Sequence, residues 1–393
     1  MDVEWKRVDR GDRSAWVSNV DSIAMAVDPE DSCRFTQGAD VMPRSALFHR
    51  FKKQPNGRYE MSPIEADGDL YYLLDDSKKK CCADMVAKDF DPKFIYECFL
   101  SKHMSPFFLA APALVIIPGE RHKDGTWNPI TDEDMALLNA STNAVFKRIG
   151  KEPDCGGSLE VLLKRKIDIL GKLTKQSFAT KRWLVLSNAG GANPCAAYVD
   201  LKFFDEQRII VDQTLYWHIA ESENEAKYLT GILNSEALAS AIKDFQPQGE
   251  FGRRHIHTLP YKVTPQYDNN NILHKSVVVA VSRLMTECQR LYAEPEFSHL
   301  VHPDGGRLNS RRRIVQGEIR KLKSYKAYES ACAAVFAAGV VYREKKQFAD
   351  AQKLGLGSTM IASAAHSSSY ELPKTEYLEA ASKKKAYDAR PNE

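Results

Sequence analysis

An α+β fold, β-rich in its first half and helical toward the end of the chain, is predicted by three observations. Short runs of β-branched and aromatic residues, punctuated by Gly, Pro and Asn, fill the first half. Residues 208–220 run apolar as a strand ending in Tyr216 and Trp217, and a capped helical stripe follows at once. Residues 272–292 then present Val277, Val281, Leu284, Cys288 and Leu291 at helical spacing.

Taken in order, residues 15–20 read as a strand, and 44–51 and 69–74 as two more, parted by the turns Gln54-Pro55-Asn56-Gly57 and Ala66-Asp67-Gly68. Residues 92–101 read as a short helix, and Leu114-Val115-Ile116-Ile117 as a buried strand. The spacing of Leu137, Leu138, Val145 and Phe146 predicts a helix over 131–149, closed by a boundary at 152–157. A basic amphipathic helix is expected over 159–173, then strands at 183–187, 196–201 and 209–218.

Ser222 and Glu225 have capping-box spacing ahead of the stripe Ala226, Leu229, Ile232 and Leu233. Ser235 can cap a second helix through Leu238 and Ile242, after which Gln246-Pro247-Gln248-Gly249 turns the chain into Gly252-Arg253-Arg254-His255. Residues 311–338 read as another helix, and the Ser- and Lys-rich tail from Lys353 as loosely structured. Tyr216 and Trp217 read as core, since both flank a buried strand.

With 43% hydrophobic and 27% charged residues in 393, the chain can bury a core. The longest apolar run, 107–118, is interrupted by Pro112 and is too short to cross a bilayer, so no membrane partner is expected. The charged N-terminus argues against a signal peptide. Eight cysteines, without any Cys-x-x-Cys, argue for reduced thiols and a cytoplasmic location.

The net charge of +3 is unevenly spread. Residues 161–182 carry +6 and residues 301–330 carry +5, on a body that is mildly acidic elsewhere. Clustered cations of this kind suit a surface that follows phosphates, because each contact releases counterions; the other reading is two solvated helix faces.

Several words of the sequence carry a resemblance. They are Gly38-Ala39-Asp40-Val41-Met42-Pro43-Arg44, Lys172-Leu173-Thr174-Lys175-Gln176, Asn188-Ala189-Gly190-Gly191-Ala192-Asn193-Pro194-Cys195-Ala196-Ala197, Glu225-Ala226-Lys227-Tyr228-Leu229 with Ile232-Leu233-Asn234-Ser235, and Gly249-Glu250-Phe251-Gly252-Arg253-Arg254-His255-Ile256-His257. In these the chain resembles the C-terminal target-recognition region of large bacterial N6-adenine DNA methyltransferases, the TaqI-type specificity domains of type II restriction-modification enzymes. The match spans roughly two thirds of the chain in the expected order. It fades over the last hundred or so residues.

The resemblance implies a β-rich target-recognition domain in two halves, 1–155 and 156–295, with a helical, basic extension over 296–393. It implies double-stranded DNA as partner. Arg44, Lys172, Lys175 and Gln176 would lie near the DNA. Gln248, Arg253, Arg254 and His255 would be placed to read bases, since arginine suits guanine and glutamine suits adenine. Arg253 and Arg254 could instead pair with carboxylates of their own domain. Arg311, Arg312 and Arg313 belong to the second basic block and would meet phosphates.

Catalytic devices of such enzymes are missing. Asp91-Pro92-Lys93-Phe94 lacks the second proline of an Asn-Pro-Pro-Tyr-type motif, Asn128-Pro129 and Asn193-Pro194 lack the aromatic, and Leu354-Gly355-Leu356-Gly357 does not follow a buried strand. No catalytic residue, cofactor or metal site is therefore assigned; His255 and His257 have no third ligand at a supporting spacing. S-adenosylmethionine, and Mg²⁺ where the enzyme also cleaves, are expected on a methyltransferase or nuclease half carried by another segment or subunit. A different class of function is a protein-docking or regulatory module that keeps the recognition fold.

Overall fold

The computed structural model describes residues 6–10, 13–17, 35–66, 68–74, 81–122, 125–178, 181–189, 195–242, 248–249, 252–253, 259–303 and 308–338. The architecture is α+β, with several small sheets and a helical layer. Strands β1 (Lys6–Arg10) and β2 (Arg13–Val17) form an antiparallel hairpin. After β3 (Thr36–Gln37), the expected strand over 44–51 divides. Its first part is a helical turn, α1 (Arg44–Leu47), with all four residues buried, and β4 (Arg50–Lys53) begins behind it.

β4 pairs with β5 (Tyr59–Ser62) across the expected turn, where Gly57 takes φ +80°, a conformation that glycine adopts without strain. β5 pairs in turn with β6 (Ala87–Phe90). The segment expected as a strand over 69–74 is a 3₁₀ turn, Tyr71–Leu73, because only Leu73 among those three reaches the core. The helix expected over 92–101 shrinks to the turn Pro92–Phe94, closed by the Asp91 carboxylate on the Lys93 N–H at 3.0 Å. The chain then extends as β7 (Ile95–Phe99), whose Ile95, Tyr96, Cys98 and Phe99 are buried on both faces. Burial on both sides over successive residues suits a central strand.

The hairpin β8 (Met104–Ser105) and β9 (Phe108–Leu109) leads to β10 (Ala113–Ile116), the expected buried strand, antiparallel to β7. β11 (Gly119–Arg121) pairs with β12 (Trp127–Pro129). The helix expected over 131–149 restarts once, as α2 (Asp132–Leu137) and α3 (Ala140–Lys151), because Asn139 caps the second through Thr142 N–H at 2.8 Å.

The basic helix expected over 159–173 is shorter and wider. Asp168 N–H reaches back five residues to the Leu163 carbonyl at 2.8 Å, and Leu170, at φ 59°, ends the helical course. The cause is local competition: the Asp168 carboxylate takes the amides of Leu173 and Thr174, offering the backbone a turn in place of a further helical bond.

β13 (Trp183–Asn188) and β14 (Ala196–Asp200) are antiparallel neighbours. The single strand expected beyond them breaks at Asp212-Gln213-Thr214, where Asp212 accepts from Thr214 N–H and Oγ1. β15 (Ile209–Val211) runs parallel to β7, whereas β16 (Leu215–Ala220) joins the order β14-β13-β16-β3.

Alternation along that sheet sends Val185 and Tyr216 into one core and Leu184, Leu186 and Trp217 into another. Tyr216 and Trp217 are thus both core, on opposite faces.

On the first face lies a helical layer: α4 (Glu223–Asn234), α5 (Glu236–Ile242) and, beyond the hairpin β17 (Gln248–Gly249) and β18 (Gly252–Arg253), α6 (Leu259–Val263), α7 (Ile272–Ala293), α8 (Pro295–Val301), α9 (Leu308–Ile319) and α10 (325–338). Ser222 Oγ caps α4 on Glu225 N–H at 3.1 Å, and the Glu225 carboxylate turns back to Glu221 N–H at 2.8 Å, one residue earlier than a standard capping box. Ser235 caps α5 through Leu238 N–H at 3.1 Å. The helix expected over 311–338 is broken between α9 and α10.

Packing crosses both expected domain limits. One core gathers residues between Ala39 and Leu173 together with Ile210 of β15, and includes Cys155 at the first limit. Another joins α4 and α7 to Tyr328, Cys332, Val335 and Phe336 beyond the second, and Tyr328 Oη donates to Gly231 O at 2.7 Å. The C-terminal helices complete a shared core. The tail from Lys353 lies outside the described residues.

Candidate nucleic-acid interface

Two of the sequence words, Gly38–Arg44 and Lys172–Gln176, meet at the break between β15 and β16. Gly38 N–H donates to Leu215 O at 3.0 Å, Ala39 N–H to Val211 O at 2.8 Å, and Gln213 N–H to Ala39 O at 2.7 Å, which lays the Gly-Ala-Asp segment along the break between β15 and β16. The approach is close. A Cβ on Gly38 would stand 2.3 Å from the carbonyl oxygens of both Val211 and Asp212.

Gln176 comes in from the Lys-Leu-Thr-Lys-Gln word and treats Val211 as a strand neighbour would. Its Oε1 accepts from Val211 N–H at 2.7 Å and its Nε2 donates to Val211 O at 2.8 Å. Lys172 Nζ donates to Gln37 Oε1 at 2.9 Å, and Gln213 Nε2 to Asp40 Oδ1 at 2.6 Å. Burial and the nearby Asp212 carboxylate raise the Asp40 pKa, with Lys172 and Arg44 acting the other way.

Two further words, 188–197 and 225–235, are joined the same way. Asn234, ending α4, accepts from Ala196 N–H at 3.0 Å and donates to Ala196 O at 2.8 Å, and Asn188 Oδ1 accepts from Cys195 N–H at 2.6 Å. Side-chain amides therefore act here as missing strand edges, coupling the sheet to its neighbours.

The predicted DNA-facing residues separate into three groups. Gln176, Arg311 and Arg312 are internal, at 1%, 2% and 6% exposure, and Arg44 is buried against Asp212 at 3.2 Å. Arg312 donates to Met104 O and Ser101 O at 3.0 and 2.7 Å, and Arg311 to Lys102 O at 2.7 Å, tying α9 to the start of β8 and the turn before it. Expecting these four side chains on DNA is corrected by the structure: each already has partners inside the fold, and leaving them would strand buried carbonyls or a carboxylate.

Lys175 and Arg313 are exposed and Lys172 is half-buried. Gln248 and Arg253 lie on the two strands of the β17–β18 hairpin, Gln248 opposite Arg253 in register. Arg254, His255 and the metal reading of His255 with His257 lie outside the described residues. The first basic block keeps an open cationic edge: Lys164, Arg165, Lys181 and Arg182 are exposed, although Lys164 also meets Glu160 and Arg182 meets Asp200.

Sequence reasoning quoted Gly38 and Asn234 without their structural tasks, and missed Asp212 at the break between β15 and β16. A signal existed for Asp212, since an aspartate inside a β-branched run marks a break. Among the described residues no cluster of three or more His, Cys, Asp or Glu could hold a metal ion, and no helix is long and apolar enough to cross a membrane.

No family profile matches the sequence. No curated protein matches it either. Among solved structures the chain is similar to the Type IIL restriction-modification enzyme MmeI in complex with DNA, with 11% identity and a TM-score of 0.42. That likeness covers 80% of this chain and 33% of the MmeI chain.

Proposed function

We propose that this chain reads double-stranded DNA for an N6-adenine methyltransferase or restriction-modification enzyme whose catalytic half it does not itself supply. The observation that carries the reading is the convergence of the Gly38–Arg44, Lys172–Gln176 and Val211–Leu215 segments into one hydrogen-bonded node, on which the exposed basic edge around residues 164–182 is mounted. A node built this rigidly can present cations in fixed positions, and fixed cations hold a duplex in register.

Selection of a random duplex library on the full chain tests this. Enrichment of one sequence is the expected result; recovery of random sequence would remove the specificity. Affinity should fall with salt along a slope near −3.6 if about four phosphates are neutralised at roughly −0.9 each. Replacing exposed Arg165 and Lys181 by Ala should make that slope shallower by about 1.8. A flat salt response favours the protein-docking function instead.

The selected sequence then allows a second test. If Arg253 or Arg254 reads a base edge, its Ala variant should lose about 1 to 3 kcal/mol on the selected site and much less on random DNA. Equal loss on both would make the residue a phosphate contact, and loss of folding alone would make it an internal ion-pair partner.

A further inference from the structure

The turn that closes the basic segment holds a feature the fold does not need. Leu170 is a non-glycine residue at φ 59°, and it is 79% exposed beside Ile169 at 41%. A leucine in the left-handed region crowds its own Cβ, and apolar surface left in water is unfavourable as well. Both features oppose folding at the same position, which points to a role outside the fold.

The turn is nevertheless held firmly. The Asp168 carboxylate accepts from Leu173 N–H at 2.7 Å, Thr174 N–H at 2.9 Å and Thr174 Oγ1 at 2.7 Å, while Gly171 N–H donates to Asp168 O at 2.8 Å. Lys175 Nζ reaches the Leu170 carbonyl itself at 3.0 Å. Cations lie on both sides in sequence, with Lys164 and Arg165 exposed before the turn and Lys175 exposed after it. The base of the turn is joined to the node through Asp40 N–H on Ile167 O at 3.2 Å and Lys172 on Gln37.

A rigid apolar tip set among cations is complementary to a polyanion with a stacked apolar interior. We propose that Leu170 is a wedge that enters a base step of double-stranded DNA while the neighbouring lysines and arginine hold the flanking phosphates. This rests on the DNA-reading function above and assigns one of its contacts.

The test compares the full wild-type chain with Leu170→Gly and Leu170→Asn on two mixed-sequence duplexes of equal length. One is fully paired and the other has a single central mismatch, whose step is already loosened. Wild type should bind the mismatched duplex about tenfold more tightly, because the wedge no longer has to unstack it. In both variants the two affinities should come within about twofold of each other. Gly and Asn tolerate the left-handed conformation, so neither variant should melt earlier than wild type. Equal wild-type affinities, or a preference that survives in both variants, would overturn the wedge while salt-dependent duplex binding kept the DNA-reading function intact. Absence of salt-dependent binding to either duplex would overturn both, and would leave Leu170 as a contact for a protein partner.

Discussion

Gly38→Ala should destabilise the protein by about 3 kcal/mol or more, read as a lowered urea midpoint. The added methyl would meet two backbone carbonyl oxygens at 2.3 Å, and neither oxygen can swing aside as a side chain would. Val211 O is held by Ala39 N–H and Gln176 Nε2, so relief requires the whole Gly-Ala-Asp segment to lift from the β15–β16 break. Gly317→Ala is the matched control. Nothing lies within 4 Å of its Cβ position in α9, and the same chemical change there should stabilise by up to about 1 kcal/mol through helix propensity alone. Equal behaviour of the two variants would mean that the segment is not docked as described.

Gln176→Ala is expected to cost about 2 to 4 kcal/mol, since Val211 N–H loses its glutamine acceptor and Val211 O loses one of two donors in a buried setting. Stability and DNA affinity must be measured on the same preparation. A lowered midpoint, with DNA affinity falling only as the folded fraction falls, fits the internal role. Unchanged stability with lost affinity would return Gln176 to the DNA and refute its placement in the core.

These two residues also show how sequence and structure divided the information. Local devices were legible: the buried strand around Val115, the caps at Ser222 and Ser235, the stripe of α7 and the Gly57 turn each depend on residues a few positions apart, which a sequence displays directly. The words Gly38–Arg44 and Lys172–Gln176 were legible as important, but their tasks were not.

Gln176 and Arg312 read as DNA contacts because long polar side chains near basic runs resemble a phosphate-facing surface. Their actual partners, Val211 and the carbonyls of Ser101 and Met104, are remote in sequence. Distance along the chain also explains the misread elements. Residues 95–99 became a strand because β10 and β15 flank them on either side, and residues 209–218 split because β15 and β16 pair with different sheets.

Composition, periodicity and capping determined that this is an α+β protein with two basic segments and where α4, α5 and α7 begin. Only tertiary structure decided which cations are free and which are bound within the fold, because that depends on which buried carbonyls and carboxylates need a donor. Unpaired buried polar groups are costly enough to claim an arginine or glutamine before any ligand can.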